Sequence, residues 1–243
     1  MTDTQQRLDL VVETIARTAV ENEKYFGDLD AVVGDGDFGY SLARGFEKVL
    51  ENWDALDRAD PGTFLKKVGM MVTSRIGGTS GPIWGTAFLK AGITAGSSAE
   101  LTGEQVVAML RAATDGIKMR GQSDVGDKTL LDALVPMTDT IERELGRGTG
   151  TSDVLTAAAT ATRQAADATS EMVARRGRAS YTGERSRGSV DAGAMAVAVL
   201  LERISQVWNE QDAARPEEVP QEPAPATPPQ STPPASTQTE GVS

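Results

Sequence analysis

The chain has 243 residues, carries a formal net charge of −11, and contains neither cysteine nor histidine. The lack of cysteine excludes disulfides and thiolate chemistry, and the lack of histidine excludes a Ser-His-Asp triad, an imidazole base and a histidine-bound zinc site. The acidic balance argues against nucleic acid and anionic membranes as partners. There is no apolar signal-peptide core at the N-terminus and no apolar run long enough to span a bilayer, so the sequence predicts a cytoplasmic protein.

The composition divides the chain into a body over residues 1–212 and a tail over residues 213–243. Eight of the eleven prolines fall between Pro216 and Pro234, among Gln, Ser, Thr and Ala. Such a segment cannot bury enough apolar surface to form a packed core, so we predict a disordered, acidic, Pro-rich tail. A solubilising role is favoured over a role as a docking segment.

The body carries apolar residues at helical spacing, in segments separated by glycine-containing connections. Asp60 and Pro61 are typical of a helix start, Thr102 with Gln105 forms a capping box, and Gly27 is expected to end the first helix. No segment alternates with a period of two for long enough to predict a strand, so we expect an all-α fold. The eight predicted helices cover residues 8–19, 42–53, 60–76, 81–96, 102–121, 130–146, 152–176 and 191–208.

Short connections favour antiparallel packing between helices that are neighbours in the sequence. In such a bundle, the connections after the first, third, fifth and seventh helices lie at one end. These four connections are rich in glycine and polar residues, whereas those at the opposite end are plain. They are residues 30–39, 77–82, 121–129 and 177–193. The sequence therefore predicts an eight-helix antiparallel up-and-down bundle with a functional site in the loops at one end.

The first of these connections contains three aspartates, Asp30, Asp35 and Asp37, interspersed with glycine. Carboxylates crowded this closely repel one another, and a hard cation with oxygen ligands, such as Mg²⁺, relieves that repulsion. The glycines allow the carboxylates to turn toward one point. The alternative is a solvated acidic turn, since Asp and Gly are both common turn residues.

The other connections supply groups that bind anions. Residues 77–82 offer successive backbone N–H groups just before a helix, with the Thr79 and Ser80 hydroxyls as further donors, although the segment lacks the lysine of a Walker A loop. Arg178 lies in the last connection, and its guanidinium suits phosphate oxygens, although a surface salt bridge is the default interpretation of a single arginine. Leu130 could flank an adenine, or it could be a core residue. Together with Mg²⁺, these groups would bind and transfer a phosphoryl group.

Four segments resemble motifs of the nucleotide-binding L subunit, or L domain, of dihydroxyacetone kinases. They are DAVVGDGDFG at 30–39, GGTSGPIWGT at 77–86, GDKTLLDAL at 126–134 and GRASYTGERS at 177–186. The resemblance spans about residues 5–210. It implies an eight-helix up-and-down barrel with the nucleotide at one end, which agrees with the fold expected from the connections.

The resemblance also implies a set of ligands and partners. Two Mg²⁺ ions would be held by Asp30, Asp35 and Asp37. ADP or ATP would contact Phe38, Gly39, Tyr40, Ser41, Thr79, Ser80, Gly121, Leu130, Arg178, Asp191, Ala192 and Gly193. The sugar would sit on a separate K subunit, bound covalently to a histidine that this chain cannot supply. A phosphotransferase-system phosphoprotein is a further implied partner in one branch of the family, and a homodimer is left open.

Two positions depart from the family pattern. Phe38 replaces a histidine of the acidic loop, and Ala192 replaces a proline. Phenylalanine has no hydrogen-bond donor, so phosphate contact at position 38 would have to use the backbone N–H. The departure leaves the phosphoryl donor and the ketose open, with erythrulose as one candidate.

The main hypothesis is a phosphotransferase subunit in which metal and Arg178, as the catalytic residue, stabilise developing charge while a partner holds the ketose. The first alternative is a non-catalytic, ADP-bound sensor that docks on a transcription regulator. The second is a bundle with a purely structural role.

Overall fold

The structure, a computed structural model, describes residues 3–78 and 80–214. Within these ranges, all the regular secondary structure is helical. The prediction of an all-α fold is thereby confirmed. The described helices are α1 (Asp3–Glu21), α2 (Glu23–Asp30), α3 (Phe38–Glu51), α4 (Pro61–Arg75), α5 (Ser80–Ala95), α6 (Gly103–Gly121), α7 (Leu131–Gly146), α8 (Thr151–Ala168) and α9 (Ala192–Ala214). Three 3₁₀ segments accompany them, at Trp53–Ala55, Thr169–Glu171 and Arg178–Ser186.

Two of the predictions fall on residues outside the described ranges. One is the nucleotide contact at Thr79, and the other is the Pro-rich tail from residue 215 onward. The helix α9 extends to Ala214, two residues past the predicted end of the body. The disordered tail stays a prediction.

Two helices, α1 and α2, precede the acidic segment, where the sequence predicts one helix that ends by Gly27. The Asn22 side chain donates to the carbonyl of Thr18 at 2.8 Å and so competes with the backbone hydrogen bonds of α1. The prediction that Gly27 ends this helix is wrong, because Gly27 lies inside α2, which continues to Asp30. Asp30 therefore belongs to the last turn of a helix rather than to the loop.

The seventh predicted helix is shorter than expected. The α-helical part of α8 ends at Ala168, eight residues before Arg176, and a 3₁₀ turn follows. The Thr169 hydroxyl donates to the carbonyl of Ala166 at 2.6 Å and accepts from the backbone N–H of Asp191 at 2.8 Å. This link to the start of α9 ends α8 early and releases the following residues to form a long connection.

Helices that are neighbours in the sequence pack against each other from α3 to α9. The helix α1 packs on both α3 and α9, so it links the first and the last helix of this series. The helices α4 and α6 end, and α5, α7 and α9 begin, around one cavity. Successive helices from α4 to α7 therefore run in opposite directions, and their interior is filled by side chains such as Phe26, Phe46 and Phe64, which are fully buried.

None of the helices in the described ranges has both the length and the apolar character that crossing a lipid bilayer requires.

The helices α2 and α3 meet through a glycine contact that fixes the geometry of the acidic segment between them. A Cβ atom at Gly39 would lie 1.9 Å from the carbonyl oxygen of Glu23 and 2.5 Å from the backbone nitrogen of Gly27. Backbone atoms cannot move aside as a flexible side chain can, so only glycine permits this approach. The contact holds the start of α3 against α2.

We predict that Gly39→Ala destabilises the protein by about 2–3 kcal/mol, because the added methyl group overpacks a backbone contact. Gly146→Ala is the matched control, since a Cβ there meets nothing within 4 Å. The control is expected to be neutral or stabilising by up to about 1 kcal/mol, in line with helix propensity. Urea denaturation of the two variants measures the difference, and equal stability would contradict the packing argument.

Candidate functional site

A cavity of about 870 Å³ opens where the ends of the helices meet. Its walls come from four connections: the one between α2 and α3, the one between α4 and α5, the one between α6 and α7, and the one between α8 and α9. The lining segments fall within residues 29–38, 77–84, 117–130, 175–181 and 190–193. These are the four connections that the sequence assigned to one end of the bundle.

Three carboxylates form a cluster in the wall between α2 and α3. Oxygen atoms of Asp30, Asp35 and Asp37 all lie within 4.8 Å of one another. Gly34 makes this possible, because a Cβ at that position would lie 2.2 Å from a carboxylate oxygen of Asp30. Burial, and then the neighbouring charge of Asp35, raises the pKa of Asp37 above its ordinary value. The three carboxylates therefore repel one another, and their all-oxygen donor set fits a hard cation such as Mg²⁺.

The opposite wall is cationic. The guanidinium of Arg178 reaches across and pairs with Asp35 at 2.7 Å, although its side chain remains 65% exposed. Its positive charge also opposes the rise in the pKa of Asp37. The basic side chains that line the cavity are Arg120, Lys128, Arg175, Arg176 and Arg178. An anion bound between the two walls would meet guanidinium groups on one side and the carboxylate cluster on the other.

Helix N-termini add a second source of positive potential. Phe38 opens α3, Ser80 opens α5, Leu130 precedes α7 and Ala192 opens α9, and all four residues line the cavity. Each helix N-terminus carries free N–H groups and roughly half a positive charge. Four of them around one cavity make it suited to a polyanion such as a phosphate chain.

Of the eleven sequence-predicted nucleotide contacts that the structure describes, eight line the cavity and three do not. Those in the lining are Phe38, Ser80, Gly121, Leu130, Arg178, Asp191, Ala192 and Gly193. Gly39 is buried against α2, and the exposed ring of Tyr40 packs under the guanidinium of Arg44 at 5.1 Å. Ser41 is buried beside Gly77, where a Cβ would lie 3.6 Å from the Ser41 hydroxyl.

Phe38 is part of the core as well as part of the cavity wall. Its ring is 9% exposed and its centroid lies 6.2 Å from that of Phe26. The backbone N–H of Phe38 faces the carboxylate of Asp30 at 3.4 Å. Position 38 thus presents an N–H group to the cluster and an apolar ring to the interior.

Sequence reasoning did not assign a role to Lys128 or Asp132. The Asp132 carboxylate accepts from the backbone N–H groups of Gly126 at 2.5 Å and Thr129 at 2.7 Å, and it shapes the connection between α6 and α7. The spacing Thr129-x-x-Asp132 before an apolar run is a capping signal that could have identified it. A single lysine in a polar loop gives no comparable signal, because most lysines are exposed.

Asp191 is an unusual carboxyl group in the cavity wall. It accepts from the backbone N–H of Ala194 at 2.7 Å at the start of α9. Burial raises its pKa to about 7, and the hydrogen bond from Ala194 and the charge of Lys128 oppose that rise. The group therefore holds its proton in the folded protein at pH values where an ordinary aspartate is ionised.

This pKa predicts a pH dependence of stability that Asp191→Asn should remove. Between the ordinary value of about 3.9 and the folded value of about 7, the folded state binds the proton that the unfolded state has released. The free energy of unfolding of the wild type therefore falls as pH rises through this window. Asparagine can still accept from Ala194, so the variant keeps the cap and lacks the titration.

Urea denaturation from pH 5 to pH 8, without metal or nucleotide, tests this expectation. The stability of Asp191→Asn relative to the wild type should increase by about 1–3 kcal/mol across the range and level off above pH 7. Parallel pH profiles for the two proteins would rule out an elevated pKa at Asp191.

The fold and the site define an all-helical protein with a carboxylate cluster, an arginine and helix N-termini around a single cavity. The family model described as the DAK2 domain matches residues 32–206. The chain belongs to the DAK2-domain family.

The chain is similar over most of its length to subunits of dihydroxyacetone kinases. It is 38% identical over 182 residues to "PEP-dependent dihydroxyacetone kinase, ADP-binding subunit DhaL" of Escherichia coli (strain K12), which covers 75% of this chain and 87% of that protein. It is 35% identical over 198 residues to "L-erythrulose 1-kinase" of Mycolicibacterium smegmatis, which covers 81% of this chain and 34% of that protein.

The chain is also similar to solved structures of a dihydroxyacetone kinase. The dihydroxyacetone kinase of C. freundii in its native form superposes with a TM-score of 0.67 at 26% identity, over 82% of this chain and 34% of that one. Its complex with AMP-PNP and Mg²⁺ gives a TM-score of 0.65 at 25% identity. The chain therefore spans most of the length of the DhaL subunit and about a third of the erythrulose kinase and of the C. freundii enzyme.

Proposed function

We propose that this protein binds a magnesium nucleotide in the cavity and serves as the phosphotransferase subunit of a dihydroxyacetone-type ketose kinase. The observation that carries the proposal is the pairing of two walls. The carboxylates of Asp30, Asp35 and Asp37 lie beside the N-terminus of α3, and the same cavity is lined by Arg178 and the N-termini of α5, α7 and α9. A metal-bound phosphate chain is the ligand that satisfies both walls.

Asp30, Asp35 and Asp37 would hold Mg²⁺, and the resemblance to the family favours two ions. Carboxylate oxygens are ligands that Mg²⁺ prefers, and the cluster has no nitrogen or sulfur donor that would favour a softer metal. Bound Mg²⁺ would neutralise charge on the phosphate oxygens of ADP or ATP. The support within this chain is the close approach of the three carboxylates, which is repulsive without a cation.

The remaining walls fit the other parts of a nucleotide. Ser80 and the backbone N–H groups at the start of α5 and α9 would donate to phosphate oxygens. The apolar side chains of Ile83, Leu130 and Val190 line the cavity and would pack against the base. Arg178 would exchange its pairing with Asp35 for phosphoryl oxygens, and there it would stabilise the charge of the transition state as the catalytic residue.

The acceptor would be held by another protein. The chain has no histidine with which to bind a ketose covalently, so a K-type sugar-binding subunit is the expected partner. The similar proteins of E. coli and Lactococcus lactis are named as ADP-binding subunits of PEP-dependent and PTS-dependent kinases, respectively. A phosphoprotein donor is therefore a candidate here beside ATP, and the likeness to erythrulose kinases keeps that ketose as a second candidate acceptor.

The first test is nucleotide-dependent stabilisation. Mg–ADP at about 100 times its Kd should raise the free energy of unfolding by about 2.7 kcal/mol, which for a domain of this size raises Tm by about 5–10 °C. Asp35→Asn should lose most of this shift, because it removes one of three metal ligands. Asp28→Asn is the matched control: it makes the same change on an exposed carboxylate of α2 that pairs with Lys24. If Mg–ADP shifts neither the wild type nor the control, the proposed function is wrong.

The second test is turnover with a ketose-loaded K-type subunit, Mg²⁺ and either ATP or a phosphoprotein donor. Arg178→Gln should lower kcat by about 100-fold or more, because it removes a donor aimed at developing charge. Arg185→Gln is the control, since Arg185 is an exposed arginine of the same 3₁₀ segment and does not line the cavity. Equal kcat values for the two variants would show that Arg178 is not a catalytic residue.

The alternative function is a non-catalytic ADP-bound sensor that docks on a transcription regulator. The observation that favours it is Phe38, whose apolar ring packs into the core where the family has a histidine. Co-purification discriminates the two functions. A sugar-binding kinase subunit among the bound proteins supports the kinase, and a transcription regulator without ketose phosphorylation supports the sensor.

A further inference from the structure

Lys128 is a buried cation in the wall of the cavity. Its side chain is 2% exposed, and it lies in the connection between α6 and α7 with a positive φ of 61°. Its ammonium group donates to the carbonyls of Met172 at 3.2 Å, Ser189 at 2.7 Å and Ser186. All three donors of the ammonium group are thereby used. Among the ion pairs of the described residues, none includes Lys128.

The three acceptors bracket the segment that carries the arginines. Met172 follows the 3₁₀ turn that ends α8, Ser186 ends the 3₁₀ segment that begins at Arg178, and Ser189 lies just before Asp191. One ammonium group therefore ties together both ends of residues 172–189. Two further hydrogen bonds close the same loop: the Ser186 hydroxyl accepts from the backbone N–H of Ala174 at 2.8 Å, and the backbone N–H of Gly188 donates to the carbonyl of Ser170 at 2.8 Å. Lys128 differs from them in that it also joins the loop to the connection between α6 and α7.

The connection that carries Lys128 is itself held in place. The Asp132 carboxylate fixes the connection through the N–H groups of Gly126 and Thr129. Asp127 then touches the arginine segment twice: its carbonyl accepts from the backbone N–H of Arg175 at 3.0 Å, and its carboxylate lies 3.5 Å from Arg176. Lys128 thus joins a fixed connection to the segment from which Arg178 extends.

A neutral side chain would be the less costly way to make such a tie. Burial lowers the pKa of Lys128 below its ordinary value, which reflects the penalty of removing an ammonium group from water. Carbonyl groups also accept from an amide or a hydroxyl, neither of which carries that penalty. The ammonium group differs from them in supplying three donors from one atom, which can hold three separate carbonyls at once.

We propose that Lys128 is a positioning residue, which acts through the carbonyls of Met172, Ser186 and Ser189 to hold Arg178 at the phosphate-binding wall opposite the carboxylate cluster. It does not itself touch the reacting atoms. Lys128 acts on nucleotide binding only if the proposed function holds, since its effect requires a phosphate chain in the cavity.

Two ligands separate a positioning role from a general loss of structure. Mn²⁺ alone probes Asp30, Asp35 and Asp37, which lie on the wall that Lys128 does not contact. Mg–ADP probes the arginine wall as well. In Lys128→Met, the Kd of Mn²⁺ measured by electron paramagnetic resonance should not rise by more than about twofold, because the variant keeps all three carboxylates and displaces only a cation that pairs with Asp35. The Kd of Mg–ADP measured by calorimetry should rise about 10- to 100-fold, as expected for the loss of charge-assisted hydrogen bonds.

Lys118→Met is the matched control. Lys118 lies near the end of α6 and pairs at 2.7 Å with Asp124 of the same connection, but it is partly exposed and does not line the cavity. The control should bind both Mn²⁺ and Mg–ADP as the wild type does. If the affinity for Mg–ADP fell in both lysine variants, the cause would be the change in net charge rather than the loss of the hydrogen bonds made by Lys128.

The absence of cysteine permits a chemical rescue. Lys128→Cys can be alkylated at its single thiol with 2-bromoethylamine in denaturant and then refolded, which restores an ammonium group at nearly the original length. Mg–ADP affinity should return in the alkylated protein. It should stay at least about threefold weaker in Lys128→Arg, because a planar guanidinium cannot replace an ammonium group among three carbonyls.

The outcomes separate the two proposals. If the wild type binds no Mg–ADP, the proposed function fails. If the wild type binds Mg–ADP and Lys128→Met binds it equally well, Lys128 is not a positioning residue. If Lys128→Met does not fold, Lys128→Arg decides: wild-type affinity for Mg–ADP overturns the positioning role, and weaker affinity with unchanged Mn²⁺ binding supports it.

Discussion

Electrostatic repulsion within the acidic segment is the constraint on which the rest of the site depends. Asp30, Asp35 and Asp37 place oxygens within 4.8 Å of one another, at a distance where like charges raise the free energy unless positive charge is nearby. The backbone permits this approach, since Gly34 leaves room for the Asp30 carboxylate and Gly39 lets α3 pack closely on α2. The surrounding structure supplies the compensating positive charge.

That positive charge follows from the direction of the helices. Because α3, α5, α7 and α9 all begin at the cavity, their N-termini add up there instead of cancelling between the two ends of the bundle. The connection between α8 and α9 then brings Arg178 to Asp35. Because α8 ends early, at Ala168, Arg175 and Arg176 belong to this connection together with Arg178, and all three line the cavity.

The sequence predicted the features that depend on local pattern. Apolar periodicity identified the helical segments, and short connections predicted that the acidic segment, residues 77–82 and the arginine segment would share one end. Two helix boundaries were not predictable in this way, because Asn22 and Thr169 end helices through side-chain bonds to particular carbonyls. The burial of Lys128 was also invisible, since its three acceptors lie far along the chain and nothing near residue 128 distinguishes it from an exposed lysine.

Phe38 belongs to the core and to the cavity wall at the same position. Its ring packs on Phe26 among apolar neighbours, so the core accommodates a phenylalanine here. Its backbone N–H still faces Asp30 at the start of α3, where the helix N-terminus favours negative charge whatever the side chain. Binding of an anion at this end of α3 therefore depends on the helix backbone. In the proposed function, the other contacts to the phosphate chain come from the remaining walls, which include the segment that Lys128 holds.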